Sequence, residues 1–226
     1  MSRAPVRFDA VVFDLDGVLT DTARYHYLAW KRLADSLGIA FDEAANEHLK
    51  GIDRMGSLNL ILGKRAPAYS PEKKIALADK KNDHYRQLIA TMTEEDLLPG
   101  ARDALLLVKA SGLKTALASV SKNAMTVVER LGIVDLLDDI VDAATITHSK
   151  PHPEIFLTAA AHLGLPPVRC LGVEDAIAGV RAIKSAGMVA LGVGDPAVLT
   201  EADMVIPGLH RFTLDVTENV EKRAVR

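Results

Sequence analysis

Cysteine is almost missing from this chain. Cys170 stands alone among 226 residues, so no intrachain disulfide can form. Aromatic residues make up only 4%, which leaves burial to Ala, Val and Leu and suits an α/β protein better than an all-β one. Charge of neither sign dominates. Lys and Arg total 27 against 30 Asp and Glu, a net charge of −3, so no basic field points to nucleic acid. No apolar run approaches the roughly 20 residues that span a bilayer. The opening "MSRAPVRFDAVVFDLDG" does not lead us to expect a signal peptide either, because its apolar run is short and ends in acidic residues. These absences lead us to expect a soluble, cytoplasmic protein with no membrane and no nucleic-acid partner. Hydrophobic residues nonetheless reach 49%, and the length suits one domain plus an insertion.

Short apolar runs recur at "FDAVVFD" (8 to 14), "LKTALAS" (113 to 119), "DDIVDA" (138 to 143), "RCLGVED" (169 to 175) and "MVALGVG" (188 to 194). They read as buried parallel strands. Helical patterns lie between them. "SKNAMTVVERLGI" ends at Gly132, "HPEIFLTAAAHLGL" opens near Pro153 and closes past Gly164, and "DAIAGVRAIKSAGM" repeats the plan, with the stop and start residues helices prefer. Strands alternating with helices predict a doubly wound parallel sheet. Residues 21 to 97 break the rhythm. "DTARYHYLAWKRLADSLGI" and "SPEKKIALADKKNDHYRQLIATM" predict helices, the second capped by Ser70, and no strand pattern appears. The expectation is an α/β core of residues 1–20 and 98–226 with a helical cap inserted at 21–97.

The chemistry concentrates at predicted strand ends. In "VVFDLDGVLTDT" the first strand runs into Asp14 and Asp16, which on a strand point the same way, and Gly17 lets the chain turn. Unpaired charge removed from water is costly, so something positive or something transferred belongs there. Two hard oxygen ligands suit Mg²⁺; a solvated acidic turn is the plainer alternative. Ser119 ends the next strand and, with amides at a helix start, would make an anion site. Its alternative is a helix N-cap. Lys150 in "SKP" precedes a helix and could neutralise a phosphoryl group, or be a surface lysine. Glu174 and Asp175 in "LGVEDA" form a second acidic pair, unless Asp175 merely caps the helix after it.

Four such features in this order, D-x-D-G, S, K-P and E-D, do not fit four unrelated surface roles. The sequence resembles the haloacid dehalogenase superfamily of phosphoryl-transfer enzymes across nearly its whole length. The resemblance implies a Rossmann-like core with a cap. It implies Asp14 as a nucleophile that becomes an aspartyl phosphate, and Asp16 as general acid and base. It further implies Mg²⁺ held by Asp14, the backbone carbonyl of Asp16 and Asp175, with Glu174 in or beside that shell. Ser119 and Lys150 would hold the phosphoryl oxygens.

Within that superfamily the cap is more specific. Thr22, His26 and Trp30 recur at i, i+4 and i+8 on one helical stripe, though Trp30 serves equally as cap core. "LKGIDRMGSL" contributes Lys50, Gly51, Arg54 and Ser57, "DKKNDHY" contributes Lys81 and Asn82, and "ASVSKN" contributes Val120, Ser121, Lys122 and Asn123 after Ser119. Together with D-L-D-G-V-L-T-D-T-A and the final E-D-A, these elements are similar to the β-phosphoglucomutase family. The likeness implies interconversion of β-D-glucose 1-phosphate and glucose 6-phosphate through β-glucose 1,6-bisphosphate. A sugar carrying phosphate at both ends needs a distal anion site. Arg54 with Ser121, Lys122 and Asn123 resembles one, since arginine's planar fork suits phosphate. Lys81 and Asn82 would contact the sugar or steady the cap, His26 would couple cap closure to Asp16, and a closed cap would exclude water.

Two positions depart from the expected pattern. Asp53 stands beside Arg54 and would weaken the anion site or orient the arginine. His152 follows the K-P pair without an evident role. A zinc site on His148 and His152 is not expected, for lack of a nearby cysteine or carboxylate. The competing readings are a Mg²⁺-dependent sugar-phosphate phosphatase with the same site and a sugar-phosphate sensor. The intact Asp14, Asp16, Lys150, Glu174 and Asp175 set speaks against the sensor. A dinucleotide-binding dehydrogenase lacks its G-x-G-x-x-G. Nothing in the sequence demands more than a monomer.

Overall fold

The first strand, β1 (Ala10–Phe13), is four apolar residues that are all buried. A strand apolar on both alternating sides needs cover on both faces. The computed structural model, which describes residues 8–49, 52 and 54–213, sets β1 inside a six-stranded parallel sheet whose connecting helices provide that cover. The chain divides into two compact units. One comprises the residues up to Asp21 together with those from Thr93 on, and the other is Thr22–Met92.

The inserted unit is helical. Its helices are α1 (Ala23–Ser36), α2 (Glu43–Glu47), α3 (Arg54–Leu62) and α4 (Pro71–Ile89). Ser70 caps α4 as expected, its hydroxyl accepting from the Lys73 amide at 3.3 Å, with Pro71 at the first turn. Ala29, Trp30, Leu33 and Ala34 form the buried stripe of α1, which runs against α4. They share a core with Phe41, Leu49, Leu58, Ile61, Leu62 and Ala78. The sequence reading did not pick out α2 or α3. The first buries no residue and is held by its Asp42 cap, which accepts from the Ala45 amide at 2.8 Å. In α3 the exposed Leu60 interrupts the buried side formed by Leu58, Ile61 and Leu62, so no clean helical stripe stands out.

The sheet unit continues with α5 (Ala101–Ala110), β2 (Lys114–Leu117), α6 (Ala124–Arg130), β3 (Asp139–Ile140), α7 (Glu154–His162), β4 (Cys170–Glu174), α8 (Ile177–Ser185), β5 (Val189–Val193) and β6 (Met204–Ile206). All strands are parallel, in the order β3-β2-β1-β4-β5-β6. This is the doubly wound sheet expected, with one strand more: β6 has three residues, too few for a periodic signal. Ala10 and Val12 share a core with Ile155 and Phe156 of α7 and with Val180 and Ile183 of α8. Val11 and Phe13 face the other side, equally buried. Strand order reverses at β1, where ligands bind beyond the strand ends in open α/β sheets. Among the described residues no helix is long and apolar enough to cross a membrane.

Candidate active site

Register alone brings the acidic motifs together. Phe13 pairs with Val173 on one side and with Leu117 on the other. The residues that follow, Asp14, Glu174 and the Ala118-Ser119 pair, therefore emerge side by side. The Asp14 amide donates to the Val173 carbonyl at 2.9 Å and the Ala118 amide to the Phe13 carbonyl at 2.8 Å, carrying the pairing one step beyond the strands. The chain then turns back on itself. The Gly17 amide donates to the Thr20 carbonyl at 2.7 Å, and the Thr20 hydroxyl donates to the Asp96 carbonyl at the same distance. Gly17 has φ +76°, and a Cβ there would lie 1.9 Å from Asp175 Oδ2. That glycine is what lets Asp175 approach the D-x-D turn.

Lys150 is the cation of this site. Its Nζ donates to Asp14 Oδ1 and to Glu174 Oε2, each at 2.7 Å, and the three side chains are 11%, 11% and 2% exposed. It also lies 5.0 Å from the Phe156 ring centre. Burial works to lower the Lys150 pKa, but Asp14 and Glu174 override it and hold the ammonium above its ordinary value. Burial raises Asp14 to about 6, Glu174 adds to the rise, and Lys150 only partly offsets it. Glu174 is raised by burial too. Asp175 is pushed up to about 6 by desolvation and then by Asp14. One ammonium thus faces three carboxylates and leaves two negative charges unbalanced.

Carboxylate oxygens of Asp14, Glu174 and Asp175 lie within 4.8 Å of one another. An all-oxygen set with a deficit of two charges fits a hard divalent cation. The Asp16 side chain is not part of this group; it is half-buried and near enough to Asp175 to raise it further.

Several plain alternatives weighed above fall away. Asp175 does not cap α8: the N-cap position is Ala176, without a side-chain cap. Instead Glu174 Oε1 accepts from the amides of Asp175 and Ala176, both at 3.2 Å. Ser119 is not a helix cap either. Its hydroxyl accepts from the Ser121 amide at 3.2 Å, and the Ser121 hydroxyl accepts from the Asn123 amide at 3.3 Å. The expectation that Ser119 and Lys150 immediately precede helices needs correction. Helices α6 and α7 begin at Ala124 and Glu154, so loops rather than helix ends carry both residues. Ser119 is buried, Ser121 and Asn123 are half-buried, and Val120 and Lys122 are exposed.

The helical unit gathers a second group of the expected residues. Arg54 Nη2 donates to Asn82 Oδ1 at 2.9 Å. Lys81 Nζ lies 2.7 Å from His26 Nδ1, and with the lysine donating, the ring proton belongs on Nε2. Lys81 stands over Trp30 at 4.7 Å and Tyr85 at 4.8 Å, and His26 stacks on Tyr85 at 4.1 Å. Burial, then Arg54, lowers Lys81 to about 7; burial, then Lys81 and Arg54, lowers His26 to about 3. Trp30 is 4% exposed and sits in the core of its unit, which favours packing over ligand contact. Ser57 is also buried, its hydroxyl donating to the Ile52 carbonyl at 3.3 Å. Thr22 is buried at the N-cap of α1, where its carbonyl accepts from the His26 amide at 3.0 Å. Lys50, Gly51 and Asp53 lie outside the described residues.

Three residues were given no role in the sequence reading. Tyr85 sits four positions after Lys81 on α4, a spacing that could have flagged it. Gly179 on α8 faces Glu174, and a Cβ there would lie 1.9 Å from Glu174 Oε2. Glu154 meets His148, Nδ1 to Oε2, at 2.8 Å, so the carboxylate partner thought missing beside His148 and His152 is present.

A family model for haloacid dehalogenase-like hydrolases matches residues 8–187. A β-phosphoglucomutase of Bacillus subtilis is 48% identical over 209 residues, 92% of each chain. A phosphorylated-carbohydrate phosphatase of Thermotoga maritima is 29% identical, over 87% of this chain and 92% of its own. The crystal structure of β-phosphoglucomutase from Clostridium difficile superposes with a TM-score of 0.90 at 44% identity, covering 97% of this chain and all of that one. Both acidic strand ends and the lysine between them fall inside the matched residues, and the likeness to the mutases runs almost the full length of the chains. The chain therefore belongs to the β-phosphoglucomutase family of haloacid dehalogenase-like hydrolases.

Proposed function

We propose that this protein is a β-phosphoglucomutase, an isomerase that converts β-D-glucose 1-phosphate to glucose 6-phosphate by way of Asp14. The observation that carries the reading is one buried lysine shared between Asp14 and Glu174 with a third carboxylate beside them. The Asp14 carboxylate attacks phosphorus of β-glucose 1,6-bisphosphate and forms an acyl phosphate, while Asp16 gives a proton to the departing sugar oxygen. With the phosphoryl group taken from C1, glucose 6-phosphate departs, and glucose 1-phosphate then presents its 6-hydroxyl to the acyl phosphate to re-form the bisphosphate. Asp16 takes that proton back, and Asp14 is freed. Lys150 and Ser119 hold the phosphoryl oxygens, so most of the rate comes from positioning and charge neutralisation. Asp14, Asp175 and the Asp16 carbonyl, with Glu174 beside them, would hold Mg²⁺, which supplies further neutralisation of the transferring group.

The sugar's second phosphate calls for another cationic group. Arg54 disfavours the charged forms of Lys81 and His26, and Lys81 that of His26, so an anion is favoured where they meet. Arg54 would take that phosphate, helped by Ser121, Lys122 and Asn123. Arg54→Ala should then slow the mutase reaction by about 10²-fold or more, while release of free phosphate falls far less. Equal losses would remove the distal role.

The test follows glucose 6-phosphate and free phosphate together. Purified protein receives Mg²⁺, β-glucose 1-phosphate and a trace of the bisphosphate, with α-glucose 1-phosphate as control. Glucose 6-phosphate from the β anomer alone, with little free phosphate, is the expected result. Free phosphate without glucose 6-phosphate would make the protein a sugar-phosphate phosphatase, like its relative from Thermotoga.

A further inference from the structure

The loop that carries Lys150 has a second cluster of donors on its outer side. His148 and His152 flank Lys150, and their rings lie 4.4 Å apart, centre to centre. Glu154 opens α7, and its Oε2 lies 2.8 Å from His148 Nδ1 and 3.8 Å from His152 Nδ1. One donor atom from each of the three falls within 4.8 Å of the others. We propose that His148, His152 and Glu154 form a binding site for a zinc-type transition-metal ion, separate from the all-carboxylate site.

The chemistry of the donors supports this. Two imidazoles and a carboxylate suit Zn²⁺ or Co²⁺, whereas Mg²⁺ prefers oxygen. Donors around a tetrahedral zinc at ~2.1 Å stand about 3.4 Å apart, so small side-chain rotations would open the His148 contact and draw His152 in. The carboxylate is already fixed. Glu154 accepts from the amides of Thr147 and His148, both at 2.8 Å. Those bonds and the contact with His148 hold its pKa near 2, so it is an anion at any working pH. Both histidines are exposed, which leaves an entry path and room for water as a remaining ligand. Bound there, the ion would tie residues 148 to 154 into a ring around the backbone of Lys150.

The test uses the full chain and Co²⁺ or Zn²⁺ in excess Mg²⁺, which fills the acidic site. Wild type should take up one equivalent of Co²⁺ with visible absorption bands, and Zn²⁺ should raise its melting temperature. His148→Ala and His152→Ala should each weaken binding by about tenfold or more, the scale of loss that even outer partners of a ligand produce. His162→Ala is the control. That histidine meets Asp139 at 3.1 Å on another surface, and its loss should change nothing. Because both target residues are exposed, the variants should keep the wild-type circular dichroism spectrum. Undiminished Co²⁺ binding by both alanine variants would overturn the proposal, as would complete displacement of Co²⁺ by Mg²⁺. Neither outcome bears on the mutase reading, since none of the three side chains belongs to its site.

Discussion

Lys150 is the residue on which the site's electrostatics turn. Its ammonium balances one of the three carboxylates around it, and it does so from a side chain only 11% exposed. Breaking a buried ion pair from one side typically costs about 3–5 kcal/mol, because the other charge is stranded. Lys150→Ala should therefore lower the urea midpoint markedly in metal-free buffer. Mg²⁺ should recover more stability in this variant than in wild type, because more unbalanced charge awaits it. A variant as stable as wild type without metal would mean that the three carboxylates are not charged together. Asp14, Glu174 and Asp175 were legible from sequence because each closes a strand or opens its loop, and parallel register then gathers them; Lys150 was legible from the S-K-P stretch, in the loop between β3 and α7. Glu154 was not. Its contact with His148 depends on the turn through residues 149 to 153, which no periodicity reports.

Elements decide how closely these side chains approach. Helix α8 passes Glu174 at Gly179, where an added Cβ would overlap Glu174 Oε2 at 1.9 Å. Gly179→Ala should push the carboxylate away from Lys150. Weaker Mg²⁺ binding and a melting temperature lower by several degrees are expected, the scale of about 2 kcal/mol in a protein this size. Unchanged metal affinity would show that the helix has room to shift. Helix α4 makes a different bargain by burying Lys81. Its pKa falls from 10.5 to about 7 in the folded protein. Between those values the unfolded chain holds a proton that the folded one has released, so stability rises with pH. Below about 7 the full burden of the buried ammonium is present. Lys81→Met removes this dependence. Its advantage over wild type should therefore shrink by several kcal/mol as pH rises from 7 to 10.5, as parallel urea melts would measure. A constant gap would mean that Lys81 stays protonated throughout. Neither α2 nor α3 announced itself in sequence: α2 buries no residue, and in α3 the exposed Leu60 beside buried Leu58, Ile61 and Leu62 blurs the stripe.

At the scale of the molecule, the chain combines an α/β sheet unit with a helical unit, each with its own apolar core. The sheet was readable because alternating apolar runs and helical stripes are set by burial on both faces. The helical unit's polar network was only partly readable. Arg54, Lys81, Asn82 and His26 could be named, but the stacking of His26 on Tyr85 and the placing of Lys81 over Trp30 come from how α1 meets α4. The central claim concerns a single bond, from the Asp14 carboxylate to phosphorus. The most direct measurement is an acid quench of the enzyme with Mg²⁺ and β-glucose 1,6-bisphosphate, followed by peptide mass spectrometry. The account predicts one added phosphoryl group on the peptide that carries Asp14, and none in Asp14→Asn, whose turnover should drop by about 10³-fold or more while its fold persists. A phosphoryl group on any other residue, or an Asp14→Asn variant that still turns over at near wild-type rate, would contradict it.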